Sequence, residues 1–180
     1  IVYSQKPGGL KKLQEVVVST INKIIQELLQ MSQIDRSLIS HMVIAGNTTM
    51  TQLLLGLDPK YIREDPYVPT ANFIPPVRAV HLGLNIGDHV HAYIFPMVAS
   101  YVGGDIVSGI LGSGVFQRET LTLYMDIGTN GEIVLGNKDW LASVSCSAGP
   151  AFEGAGIKFG MRATRGAIEE VSINPRTYEP

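Results

Sequence analysis

The chain has little of several features that mark well-defined classes of protein. Its 180 residues include one cysteine, Cys146, so no disulfide can form within the chain, and a zinc or iron–sulfur site built from cysteines of this segment alone is excluded. A net charge of −2 with 17% charged residues gives no basic surface of the kind that binds nucleic acid. No apolar run approaches the roughly 18 residues of a membrane helix, and no signal peptide opens the chain. We therefore expect a cytoplasmic protein that contacts neither nucleic acid nor membrane.

Hydrophobic residues, in contrast, are plentiful. They make up 45% of the chain, which is enough for one sizeable domain or two small ones. The chain begins with Ile1 rather than methionine, and its last residues follow a strand-like stretch without completing a further element. We therefore expect this chain to be a segment of a longer protein.

The stretch 121–137 predicts a β-hairpin around which the rest of the chain is organised. Residues 121–125 have the composition of a strand, residues 126–131 (DIGTNG) form a tight glycine-rich turn, and residues 132–135 are typical of a returning strand. Asn130 and Gly131 are a strong hairpin signal, because both central positions of a type I′ turn require positive φ.

The residues of this turn also suit phosphate binding. Gly128 and Gly131 leave backbone N–H groups open, and Thr129 and Asn130 add a hydroxyl and an amide, which together form a concavity for phosphate oxygens. Asp126 would then hold a phosphate-bound Mg²⁺ through water molecules, since Mg²⁺ keeps much of its hydration shell. The alternative is an ordinary surface hairpin, for which an Asn-Gly pair needs no ligand. The local sequence does not decide between the two.

The N-terminal part of the chain predicts a long helix followed by a buried strand. Apolar residues recur at helical spacing across 10–29 with polar residues opposite them, which indicates a helix that faces the core. Residues 41–45 (HMVIA) are a short apolar run, typical of a strand covered on both faces by helices.

A small polar turn and a second helix follow this strand. The turn covers 46–49 and the helix 50–55, which Gly56 can terminate. Asn47 and Thr48 stand where the helix begins, a position at which they could meet a phosphate or a ribose. Thr48 could instead cap the helix with no ligand present. Capping is the favoured interpretation, because it explains the residue types unaided.

Residues 58–80 have no regular periodicity and contain five of the ten prolines, so we expect an ordered but irregular segment. A strand is predicted at 89–95. His81, His89 and His91 lie close together in sequence, but no carboxylate–histidine spacing on a helix supports a metal site, and surface positions on strands explain them adequately.

Helical spacing returns from residue 97 to the Gly-Ser-Gly boundary at 112–114. Gly103 and Gly104 fall inside this predicted helix, where each costs about 1 kcal/mol relative to alanine. Close approach by another backbone or by a ligand would explain them. Asp105, the single charge of the helix, is a candidate to orient or deprotonate a nucleophile or to hold metal-bound water. The alternative is a carboxylate that caps the helix or pairs with a neighbour.

After the hairpin we predict a strand at 140–146, a glycine-rich helix that starts at Pro150, and a strand at 166–173. Strand, tight turn, strand, strand, helix and strand is the opening order of an actin-like, ribonuclease H-like ATPase subdomain. We therefore expect an α/β chain that holds part of such a fold.

We divide the chain into three parts on this basis. Residues 1–96 are the C-terminal part of a first actin-like subdomain, 97–114 the connecting helix, and 115–180 the N-terminal part of a second subdomain with its phosphate hairpin. Folds of this kind bind nucleotide in the cleft between the two subdomains.

Five motifs in one order make the resemblance specific. IAGNTTM at 44–50, LLLGLDP at 53–59, YVGGD at 101–105, DIGTNGE at 126–132 and AGPAFEGA at 148–155 together resemble the C-terminal ATPase domain of the reductive activators of corrinoid proteins. The matched motifs span nearly the whole chain.

The resemblance implies ATP and Mg²⁺ as ligands and a corrinoid protein as partner, and it leans towards a homodimer. It implies a parent protein with an N-terminal ferredoxin-type domain, whose [2Fe–2S] cluster lies outside this chain. ATP hydrolysis there accompanies delivery of one electron that returns a Co(II) corrinoid to Co(I). Because a first phosphate hairpin would precede Ile1 and the adenosine segment would follow Pro180, we do not expect this segment to hydrolyse ATP unaided.

The resemblance also implies a set of site residues. The second phosphate loop comprises Asp126, Gly128, Thr129 and Asn130, while Asp105 and Asn47 are candidates to face the cleft. Two other functions remain open at this point: a sugar or carboxylate kinase of the same fold, and a non-catalytic interaction module.

Overall fold

The computed structural model describes residues 1–128, 130–147, 158, 165–168 and 170–178. In this part of the chain there are four α-helices and six β-strands, joined by loops and short 3₁₀ turns. The helices are α1 (Gly9–Ser32), α2 (Thr48–Leu55), α3 (Lys60–Arg63) and α4 (Gly104–Ser113); the strands are β1 (His41–Ile44), β2 (Val77–Arg78), β3 (His91–Ile94), β4 (Thr122–Ile127), β5 (Asn130–Gly136) and β6 (Leu141–Ser147). The mixed α/β class predicted from sequence is confirmed. None of these helices combines the length and apolar character needed to cross a membrane.

Helix α1 is the predicted amphipathic helix, and it covers the first sheet. Ile25 is buried in the main core, with Ile21 and Leu29 packed partly against it. Residues with apolar side chains thus recur on one face of α1 because that face excludes water from the sheet.

The first sheet has the strand order β1-β3-β2. Strands β1 and β3 are parallel, with Ile44 opposite Ile94, and the short β2 is antiparallel to β3. The expectation that β1 is covered on both faces is wrong within this chain, because Val43 is 63% exposed. The buried core lies on the other side, around Val90, Ala92 and Ile94.

Helix α4 corrects the extent of the connecting helix predicted over 97–114. It begins at Gly104 and ends where Gly114 adopts a left-handed conformation, with φ of 69°. The chain before it folds back, with an isolated β-bridge between Ala99 and Val102, and Gly103 is extended. The apolar residues before Gly103 therefore lie in a folded-back loop and not in a helix: Met97 and Val102 are buried there, whereas Val98 and Tyr101 are more than half exposed.

The second sheet is an antiparallel meander in the order β4-β5-β6. The hairpin and the third strand were predicted, but the turn differs. Asn130 and Gly131 lie within β5, where they pair with Ser147 and Cys146 of β6, so they are not the central pair of a type I′ turn. Pairing with a third strand outweighs the local turn preference of Asn-Gly, and the chain reverses just before it.

One face of the second sheet packs on α4. Ile106 and Ile110 of α4 form a second core with Val102, Val115 and Val134. Strand β5 thus supplies the buried centre of this sheet.

Two elements predicted for the second subdomain are not seen. One lies outside the described residues, and the other is not a strand. The glycine-rich helix predicted from Pro150 lies outside the described residues. The described residues between 166 and 173 form no strand, and Ile168, Val171 and Ile173 are all more than half exposed. A strand needs a neighbour to bond with, and none of the described strands pairs with this stretch.

Candidate functional site

An open cleft of about 510 Å³ is bordered by the N-termini of α2 and α4 and by the turn end of the β4–β5 hairpin. This volume is within the range of roughly 300–1,000 Å³ that is usual for small-molecule sites. The cleft gathers six of the eight predicted site residues from three separate stretches of sequence: Asn47, Thr48, Asp105, Asp126, Gly128 and Asn130.

The other two predicted site residues do not join this group. Thr129 lies outside the described residues. Gly131 does not line the cleft, because it is held within the sheet, where the thiol of Cys146 donates to its carbonyl oxygen at 3.2 Å.

The start of α2 forms one wall of the cleft, and its cap is Asn47. The Asn47 side-chain oxygen accepts from the Met50 amide at 2.9 Å. The capping role considered for Thr48 is therefore wrong: its hydroxyl is buried and donates to the Ala99 carbonyl at 2.7 Å. Among the described residues, the amides of Thr48 and Thr49 have no acceptor. Free amides at a helix N-terminus favour a negatively charged group.

The glycine pair before α4 is explained by close approach of another backbone. A Cβ on Gly103 would lie 2.6 Å from Asn47 Cα and 2.7 Å from the Thr48 nitrogen. A Cβ on Gly104 would lie 2.9 Å from Phe95 Cβ. Only glycine lets the starts of α2 and α4 meet in this way, so both helix N-termini border the same cleft.

Asp105 stands in the first turn of α4 and lines the cleft. Its amide donates to the Gly46 carbonyl at 3.3 Å, which ties the residue to the loop before α2. One carboxylate oxygen accepts from the Ile106 amide at 2.9 Å, and the other has no hydrogen-bond partner among the described residues. Asp105 thus combines a local role at the helix start with one carboxylate oxygen that remains available.

The hairpin contributes a pair of carboxylates. Asp126 of β4 stands directly opposite Glu132 of β5, and both line the cleft. The Ser145 hydroxyl donates to Glu132 at 3.0 Å. Like charges opposite each other on two strands are unfavourable, so this arrangement gains from a cation or a hydrogen-bond donor placed between them. Glu132 belongs to the DIGTNGE motif, but it was not singled out as a site residue.

These acids fit a hydrated Mg²⁺ better than a directly bound metal. The described residues contain no group of three or more His, Cys, Asp or Glu side chains arranged to hold a metal ion. Mg²⁺ keeps several waters and needs few protein oxygens, which the carboxylates that line this open cleft can supply. His81, His89 and His91 form no such group either. The His89 ring donates to the Ile39 carbonyl at 2.8 Å.

Tyr124 of β4 connects the hairpin to α4. Its phenol rests against Gly109, and an added Cβ there would collide with the hydroxyl. Burial raises the pKa of the Tyr124 phenol, as do the negative charges of Asp126 and Asp105. One phenol therefore senses both predicted acids, because β4 and α4 pack together at this point.

Arg63, at the end of α3, also lines the cleft. It was not predicted, because it lies in the proline-rich segment, whose sequence has no periodicity. No local signal in the sequence marks it.

Comparison with known proteins gives consistent matches along the chain. Residues 1–118 match the family model described as the RACo middle region, and residues 120–180 match the one described as the C-terminal domain of RACo, the ASKHA domain. The corrinoid activation enzyme RamQ of Eubacterium limosum is 34% identical over 165 residues, which are 92% of this chain and 28% of that protein.

A second curated relative is the [Co(II) methylated amine-specific corrinoid protein] reductase of Methanosarcina barkeri. It is 26% identical over 166 residues, which are 87% of this chain and 30% of that protein. A solved structure, of a reductive activator for corrinoid,iron-sulfur protein, superposes with a TM-score of 0.84 at 54% identity and covers 96% of this chain and 28% of that one. The chain therefore spans less than a third of the length of these relatives.

Proposed function

The chain belongs to the RACo family, the reductive activators of corrinoid proteins, as part of the middle region followed by part of the ASKHA domain, and we propose that it forms one side of the ATP-binding cleft of such an activator. The observation that carries this proposal is the convergence of Asn47, Asp105 and Asp126 on one cleft. These residues come from three separate stretches of sequence, so an incidental hairpin or helix cap does not account for their meeting.

We assign some of the cleft residues to phosphate binding and others to the metal ion. The amides of Thr48 and Thr49 point the positive end of α2 at a phosphate group, and the Asn47 cap keeps that end in place. Asp126 and Asp105 hold the hydrated Mg²⁺, which when bound neutralises phosphate charge. Gly128 and Asn130 border the phosphates from the hairpin side, with Thr129 between them in sequence.

The parent protein uses this cleft to favour an electron transfer. We propose that its partner is a corrinoid protein, as the names of the relatives indicate for those proteins. We also propose, from the family resemblance of the motifs, that it carries a [2Fe–2S] ferredoxin domain outside this chain. Each ~59 mV by which a one-electron transfer is uphill costs a factor of ten in equilibrium. ATP can offset this only if the bound and hydrolysed states favour different cleft closures and hence different contacts with the partner.

The division of the chain into parts of two subdomains and a connection between them is consistent with closure of the cleft. Residues 1–96 and 115–180 are the parts of the two subdomains, and α4 within 97–114 is the connection about which they close. Asn47 before α2 then stands on the first subdomain and Asp126 of β4 on the second, with Asp105 on the connection between them.

The first test is a titration of the full-length protein with ATP in the presence and absence of Mg²⁺. Asp126→Ala should weaken binding of ATP with Mg²⁺ by about 10- to 100-fold, the usual cost of removing a group that orients metal-bound water. Binding of ATP without Mg²⁺ should not weaken, because the carboxylate that is removed repels phosphate. Asp139→Ala is the matched control, because Asp139 is exposed in the loop between β5 and β6 and does not line the cleft. Equal affinities of wild type and Asp126→Ala for ATP with Mg²⁺ would remove the hairpin from the site.

A second measurement separates this function from a kinase of the same fold. An activator should hydrolyse ATP faster when the corrinoid protein is added. Hydrolysis that depends instead on a sugar or carboxylate acceptor, with a phosphorylated product, would contradict the proposal.

A further inference from the structure

The described lining of the cleft contains several acidic side chains and one basic side chain. Asp105, Asp126 and Glu132 all line it, and among the described lining residues Arg63 is the side chain that carries a positive charge. A nucleotide polyphosphate that enters this cleft meets net repulsion unless a cation compensates for the acids. One Mg²⁺ does not cancel both the charge of a triphosphate and that of three carboxylates.

The backbone of Arg63 is firmly held although α3 is short. Ile62, its neighbour, is 1% exposed. At the other end of α3, the Lys60 amide donates to the Asp58 side chain at 3.0 Å, and the Thr70 hydroxyl donates to the Asp58 carbonyl at 2.6 Å. Arg63 therefore projects from a fixed point on the rim of the cleft.

The side chain of Arg63, in contrast, is not used by the fold. Lys60 on the same helix pairs with Glu64 at 3.8 Å, and the Arg78 guanidinium donates twice to the Asp88 carbonyl, at 3.0 and 2.6 Å. Arg63 is exposed and has no ion pair or hydrogen bond to any described residue. Its five N–H donors remain free for a ligand.

We propose that Arg63 donates hydrogen bonds to a phosphate of the nucleotide, an inference that rests on the function proposed above. A planar guanidinium matches phosphate oxygens in a two-bond arrangement that an ammonium group cannot reproduce. Arg63 offsets the repulsion from the three acids and comes from α3, an element that contributes neither the hairpin nor the start of α2. It is thus a third phosphate contact, besides the hairpin and the start of α2.

The test uses calorimetric titration of the full-length protein with ATP and with ADP, each with Mg²⁺. Arg63→Gln should weaken ATP binding about tenfold or more, the usual effect of losing a hydrogen bond to a charged group. Arg63→Lys should keep part of the affinity. Lys60→Gln is the matched control: it removes the same charge from the same helix but does not line the cleft, so its effect should stay within about twofold. A loss for ATP alone places the contact at the terminal phosphate, and a loss for both nucleotides places it further in; each supports the inference.

Two results would overturn it. One is equal ATP affinity of Arg63→Gln and Lys60→Gln. The other is unchanged nucleotide binding in Arg63→Gln together with weaker binding of the corrinoid protein, which would make Arg63 a partner contact. In both cases wild type still binds ATP and the proposed function stands, whereas absence of ATP binding by wild type refutes both. Because Arg63 is exposed, the thermal midpoint of the variant should match wild type.

Discussion

Replacement of Gly103 by alanine tests the contact on which the cleft is built. The new Cβ would lie 2.6 Å from Asn47 Cα and 2.7 Å from both the Thr48 nitrogen and an Asp105 carboxylate oxygen. Two of these three atoms belong to backbone, so the starts of α2 and α4 must separate. Overpacking of this kind costs about 1–3 kcal/mol. Gly103 has φ of −93°, which alanine adopts freely, so reduced entropy of the unfolded chain returns about 0.4–1 kcal/mol. We expect a net destabilisation of about 1–2 kcal/mol.

Gly112→Ala is the control for this change. Gly112 lies near the C-terminal end of α4, whose N-cap is Gly103, and an added Cβ at Gly112 has nothing within 4 Å. This substitution should stabilise α4 by about 0.5–1 kcal/mol. Denaturant unfolding of the full-length variants, followed by titration with ATP and Mg²⁺, measures both effects. If Gly103→Ala is as stable as Gly112→Ala and binds ATP as wild type does, the helix starts do not depend on this close approach, and the reasoning fails.

Two further predictions concern the walls of the cleft. Thr48→Val removes the hydrogen bond from the buried Thr48 hydroxyl to the Ala99 carbonyl, which keeps the Val102 amide as a donor at 3.3 Å, and should lower the free energy of unfolding by about 0.5–1.5 kcal/mol. Thr49→Val, whose hydroxyl makes no bond to Ala99, should cost less. Because burial and nearby acids raise the pKa of Tyr124, its neutral phenol stabilises the fold below the ordinary tyrosine pKa of about 10, and this contribution is lost as pH rises through the higher folded value. Tyrosine ring NMR against a Tyr124→Phe reference should show this raised pKa and its decrease in Asp126→Asn; titration at the ordinary value would refute it.

The elements that sequence predicted well are those set by local patterns. Helix α1 follows from apolar periodicity, and α2 ends at Gly56, which has φ of 67°, as the glycine there indicated. Strands β1 and β3 were found as short apolar runs, and their boundaries moved by one or two residues. In each case the signal and the structure involve the same few neighbouring residues.

The wrong predictions arose where distant segments decide the backbone. Asn130 and Gly131 carry a turn signal, but pairing with β6 draws them into β5. Gly103 and Gly104 looked like costly interruptions of a helix, yet the helix begins after the first of them, because α2 and Phe95 crowd that point. Neither outcome can be worked out from a window of ten residues.

The candidate site shows the same division. Asn47, Asp105 and Asp126 were identified by motif, since each lies in a short stretch whose residue types carry meaning alone. Glu132 lies in the DIGTNGE motif but was not singled out, because it is the pairing of β5 in register with β4 that brings it opposite Asp126. Arg63 lies in no motif, and it lines the cleft because Ile62 anchors α3 beside it. Sequence thus indicates which groups can do the chemistry when they lie in a motif.

What sequence does not indicate is how these groups are brought together, and here three small contacts decide. The Thr48 hydroxyl fixes α2 to the loop before α4, Gly103 lets the two helix starts touch, and Gly109 admits the Tyr124 ring that holds the hairpin against α4. All three contacts involve α4 or the loop that leads into it, and none of them involves the turn end of the β4–β5 hairpin. In the function that we propose, a closure of the cleft about α4 would therefore move both the start of α2 and the hairpin, which is the coupling that an ATP-driven change of partner contacts requires.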